Sequence, residues 1–86
     1  MSVMSRRDLA HVMNAIWDLS GATPGVAVAV AAIDEAIGRG RGDMRTPLNL
    51  GSLGEEGHVV ALGDGVWALT PEGAAWIVED RALSDR

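Results

Sequence analysis

The stretch GHVVALGDGVWALTPEG, Gly57 to Gly73, decides the fold. Asp64-Gly65 lies between two short apolar runs, and both residue types accept positive φ, so the pair reads as a two-residue hairpin turn. A turn there sets Leu62 opposite Trp67, Val60 opposite Leu69 and Ala61 opposite Ala68, which gives the ribbon one large apolar face. A lone two-stranded hairpin is marginal in water, so that face must pack on helices before and after it. Thr70-Pro71 supplies the second of these: the Thr hydroxyl accepts free amides of a first helical turn, and Pro at the first helical position loses no hydrogen bond.

The same Thr-Pro pair occurs at Thr23-Pro24 and Thr46-Pro47, and each predicts a helix start. A further start lies at Ser5, with Asp8 three residues on, near the positive end of a helix dipole. Helix 1 is expected over residues 6–20, because Leu9, Val12, Met13, Ile16 and Leu19 recur at helical spacing before Ser20-Gly21. Helix 2 is expected over 24–37, with Val26, Val30, Ile33 and Ile37 on one stripe and Gly38 as its C-terminal cap. The Val-Ala alternation from Val26 to Val30 also fits a strand, but Ala on its second face and the acids Asp34-Glu35 within the same period favour helix. A short helix 3 follows over 47–56, with Leu50 and Leu53 on one face and Gly57 where a left-handed cap is wanted. Gly51 and Gly54 each cost about 1 kcal/mol inside it, so it needs tertiary support. After the hairpin at 58–69, helix 4 spans 71–83. The expectation is one α+β domain over residues 1–86, mostly helical, in the order helix, helix, short helix, β-hairpin, helix.

Composition narrows the function classes. Eighty-six residues build a small core and leave little room for a buried multistep active site. The chain has no Cys and two His, His11 and His58, which excludes disulfides and cysteine-based metal centres, and neither His is expected to act as ligand or base. The apolar run from Gly21 to Ile33 is too short and too interrupted to cross a membrane. A soluble, cytoplasmic protein without cofactor is expected. Asp34-Glu35, Glu55-Glu56 and Glu79-Asp80 are adjacent pairs whose side chains diverge on a helix and have no nucleophile beside them, so an enzyme is not expected. The glycines of Gly38-Arg39-Gly40-Arg41-Gly42 follow a helix rather than a strand and lack a phosphate-binding Lys, which argues against a nucleotide loop.

The residues Leu50 to Gly73, LGSLGEEGHVVALGDGVWALTPEG, resemble the winged-helix domains of bacterial transcriptional regulators of the PadR and MarR type. There a helix ending in a Leu-x-x-Leu-x-x-x-Gly-like pattern leads into a hairpin wing, and many close with a Leu-Thr-Pro-x-Gly-like turn into a further helix. Leu50, Leu53, Gly57, Leu69, Thr70, Pro71 and Gly73 match in place, over under a third of the chain. The resemblance implies a small DNA-binding regulator in which Pro47 to Glu56 enters the major groove and Val59 to Leu69 forms the wing. It also implies a homodimer through helix 1 or helix 4.

Charge pulls the other way. Phosphate affinity comes mainly from Lys and Arg, whereas this chain carries a formal net charge of −5. Arg39, Arg41 and Arg45 form its one basic cluster, just ahead of helix 3, while Asn49 and Ser52 offer polar groups to base edges or phosphates. These five are the expected DNA contacts; the alternative for the Gly-Arg segment is a solvated loop. Helix 3 itself brings Glu55 and Glu56, and the wing tip brings Asp64. A second function therefore stands beside the first: an interaction module that binds a protein, a basic one suiting its acids, through Glu55, Glu56, Trp17 and Trp76. Trp67 is expected in the core, whereas Trp17 and Trp76 fall at the edges of their helical stripes, where Trp often anchors an interface.

Overall fold

The computed structural model describes residues 6–40 and 42–84; Ser5 and Arg41 lie outside the described residues. The elements run α1 (Arg6–Leu19), β1 (Val28–Ala29), α2 (Val30–Ala36), α3 (Arg45–Glu55), β2 (Val59–Gly63), β3 (Val66–Leu69) and α4 (Pro71–Ser84). The fold is α+β and mostly helical, with a three-stranded antiparallel sheet in the order β1-β3-β2. Among the described residues no helix is long and apolar enough to cross a membrane.

α1 puts Val12, Met13, Ala15 and Ile16 into the centre. They meet Ile33 of α2, Leu50 and Leu53 of α3, Val28, Val59 and Leu69 of the sheet and Ile77 of α4 in one cluster. These are small and medium aliphatic side chains, as a chain without Phe or Tyr requires.

The expected start of helix 2 at Pro24 is not formed, and the strand alternative holds for part of the segment. Gly25 turns to φ 85°, its amide donates to the Leu69 carbonyl (3.0 Å), and the Val30 amide donates to the Gly65 carbonyl (2.9 Å). Between them Val28 pairs with Trp67 and Ala29 with Val66. The open edge of β3 thus supplies hydrogen-bond partners from across the chain, and that long-range pairing overrides the local helical pattern. α2 begins only at Val30. It ends as predicted at Gly38 (φ 76°), with the Arg39 amide on the Asp34 carbonyl (2.8 Å) and the Gly38 amide on that of Glu35 (3.3 Å), a Schellman closure.

α3 begins at Arg45, two residues ahead of Pro47, which the free amides of a first turn tolerate. Thr46 therefore does not cap it, and the Asp43 carboxylate takes the Arg45 amide instead (2.9 Å). The other end closes on Gly57 (φ 82°) as expected, with the His58 amide on the Leu53 carbonyl (3.0 Å). Leu50 and Leu53, both essentially buried, provide the tertiary support that the glycines of α3 make necessary.

The hairpin turns at Asp64-Gly65, but only Gly65 has positive φ, and the register differs from expectation by one residue. Gly63 pairs with Val66, then a bulge at Leu62 shifts the ladder so that Ala61 faces Trp67, Val60 faces Ala68 and Val59 faces Leu69. A one-residue slip exchanges the faces of a strand. Val59 enters the core at 3% exposure, while Val60 and Leu62 face solvent at 45% and 52%. Thr70 caps α4 as predicted, its Oγ1 accepting the Gly73 amide (3.0 Å). Gly73 must be glycine: a Cβ there would lie 2.0 Å from the His58 carbonyl oxygen.

Candidate recognition surface

Of the expected cluster, Arg41 lies outside the described residues, and Arg39 and Arg45 are each engaged within the protein. Arg39 folds inward, its side chain only 7% exposed, because the Schellman closure aims it back between α2 and α3. Its Nη1 donates to Thr46 Oγ1 and to Asn49 Oδ1, each at 2.9 Å, and its Nη2 lies 3.6 Å from Asp8 Oδ1 of α1. The Thr46 hydroxyl passes its own hydrogen to Asp34 Oδ1. Thr46, Asn49 and Asp34 are all buried. This chain of charge-assisted bonds joins α1, α2 and α3 and satisfies polar groups that would be costly alone in the core.

Arg39 and Asn49, expected at a DNA surface, are therefore committed to the interior. Arg45 is exposed but grips Asp43 through Nη2 (2.7 Å) and Nε (3.1 Å). Those hydrogen bonds hold the Asp43 carboxyl down to about 2 and raise Arg45 in return. Ser52 is half-buried. The outward side of α3 and its entry instead shows Met44 at 71% and Leu48 at 52% exposure, with Glu55 and Glu56 exposed at the far end.

The two tryptophans proposed as anchors are each half-covered. Arg81 of α4 lies over the Trp17 ring at 5.2 Å, held there by Asn14 Oδ1 (3.0 Å) and by Asp18 at 3.6 Å. Trp76 tilts against His58, ring centres 5.6 Å apart, beside a cleft of about 270 Å³ lined by Arg6, Leu9, Leu53, Glu56, His58 and Trp76.

The sequence assigns Asp34, Thr46 and Asp8 other roles, an exposed acid pair, a helix start and a first-turn acid, and does not bring them together. The available signal was Asp34 itself, an acid next to Ile33 in an apolar helical period, with an Arg directly after the capping Gly38. Among the described residues no group of His and acidic side chains is placed to hold a metal ion. No family model, no curated protein and no solved structure matches this chain.

Proposed function

We propose that this chain is a small winged-helix module that recognises protein rather than duplex DNA, with the exposed side of α3 as the contact. The winged-helix reading is supported by the order of elements, in which α3 leads through Gly57 directly into the β2–β3 hairpin and Thr70-Pro71 closes the unit. The choice of protein is carried by one observation: the side of α3 that would enter a groove offers Met44, Leu48 and Glu55, while Arg39 and Asn49 are turned inward. Apolar side chains rimmed by acids suit a partner with apolar and basic residues, and offer phosphates little.

The DNA-binding regulator is the second reading, favoured by exposed Arg6 and Arg7 at the start of α1 and exposed Arg45 at the start of α3. Fluorescence anisotropy with a mixed-sequence duplex across a salt series separates the two. We expect no binding at the lowest salt. Binding that weakens with salt, and weakens further in an Arg6/Arg7/Arg45→Ala variant, would sink the protein-recognition reading and install the regulator.

We further propose a homodimer through α4. Its 14 residues bury Ile77, at 1% exposure, yet leave Val78 at 56% and Leu83 at 66%, with Ala75 and Ala82 also outside. A helix with apolar residues on both sides suits burial on both sides. α1 is the weaker candidate, since Val12, Met13 and Ile16 commit its apolar stripe to the core.

A further inference from the structure

The cleft beside Trp76 has the make-up of a ligand site, and its parts come from three helices and the turn between α3 and β2. Leu9 of α1 and Leu53 of α3 are its apolar lining, and His58 and Trp76 its aromatic one. Arg6 and Glu56 also line it, one able to supply a positive and the other a negative charge, and Glu56 Oε2 lies 3.5 Å from His58 Nε2.

The aromatic lining is held in place before any ligand arrives. The His58 amide donates to the Leu53 carbonyl (3.0 Å) and its carbonyl accepts the Thr70 amide (3.1 Å). Gly73, lacking a Cβ, lets the first turn of α4 close onto that carbonyl. One turn on, this brings Trp76 to the His58 ring. A site fixed in this way orders little on binding.

We infer that this cleft binds a free aromatic amino acid. The ring of the ligand packs on Trp76 and His58 above the two leucines, its carboxylate meets Arg6 and its ammonium meets Glu56. Both charges are needed together, which selects the zwitterion over an aromatic acid or an aromatic amine. A volume of about 270 Å³ lies just under the usual range for small-molecule pockets, so the ligand is a small one. Leu53 and Glu56 lie at the end of α3 and just beyond it, and Trp76 lies in α4, so an occupied cleft ties the recognition helix to the proposed dimer helix.

The test is a titration of the full chain with L-phenylalanine, followed by ¹H–¹⁵N NMR. We expect saturable shifts at Leu9, Leu53, His58 and the Trp76 indole. Hydrocinnamic acid and phenethylamine, each missing one charge, should bind at least about tenfold more weakly. Arg6→Gln and Trp76→Leu should weaken phenylalanine by a similar factor. Arg6 is exposed, so the Arg6→Gln arm remains readable if Trp76→Leu disturbs the fold. The proposal is overturned if no saturable shift develops up to about 10 mM, a concentration that still reveals a very weak complex, or if all three compounds bind alike. Neither result depends on whether the α3 surface meets protein or DNA.

Discussion

Arg39 Nη1 lies 2.9 Å from Asn49 Oδ1, and the two residues that would have been the most natural contacts for a nucleic acid instead complete each other inside the protein. Replacing Arg39 leaves the Asn49 amide oxygen without this partner and removes the nearest positive charge from the chain of bonds that ends at Asp34. We expect Arg39→Ala to cost about 3 kcal/mol, the order seen when one partner of a buried ionic contact is removed. Urea unfolding measures it, and a loss below about 1 kcal/mol would mean that the network behaves as a surface feature.

Gly73→Ala reverses the usual helix scale. Ala is favoured over Gly by about 1 kcal/mol inside a helix, yet here its Cβ would meet the His58 carbonyl at 2.0 Å. Backbone must shift, and we expect a net loss of about 2 kcal/mol. Gly51→Ala is the control, since nothing lies within 4 Å of a Cβ there. A thermal melt in which both variants gain stability would contradict the close approach.

The Asp43 carboxyl, held below the usual carboxylate range at about 2 by the side-chain hydrogen bonds of Arg45, sets an acid limb. The folded value lies below the unfolded one, so the contribution is complete above the unfolded value and fades as pH falls from there through the folded value. Carbon-detected NMR of the Asp43 carboxyl should show its midpoint near 2 in the wild type and a clear rise toward the ordinary carboxylate range in Arg45→Ala. An unmoved midpoint in the variant would assign the shift to another cause.

Light scattering on the eluting peak tests the α4 dimer. The expected mass is twice the 9.0 kDa of the chain, falling to the single value in Val78→Glu, which places a charge on the exposed side of α4. A wild type that elutes as a monomer at high concentration would remove the dimer.

The extent to which the fold could be read in advance follows the range of the interactions involved. α1, the turn at Asp64-Gly65, the caps at Gly38, Gly57 and Thr70 and the start of α4 are local events, each decided by neighbours within about a turn, and they appear where the sequence suggested. β1 departs from the favoured helix, though the Val-Ala alternation also fits a strand, because Val28 owes its strand to Trp67, a partner no local window contains. The hairpin register departs from the turn's own preference because the bulge at Leu62 seats Val59 in the core. The same distinction applies at the candidate surface. Arg39 and Arg45 look equivalent in a Gly-Arg segment, yet one is drawn under the Schellman closure into reach of Asn49 and the other is left outside with Asp43.

The pairing of Val28 with Trp67 has a consequence for the way the molecule comes apart. Its strand comes from the first half of the chain and its partner from the second, so the sheet is a stitch between halves rather than a property of either. A fragment ending before the hairpin keeps three helices but loses the acceptors for Gly25 and Val30. A fragment starting at the hairpin keeps a ribbon with one side bare. Neither piece closes the core, so unfolding should be a single cooperative event. In hydrogen exchange, the Gly25 and Val30 amides should open together with the central strand they lean on.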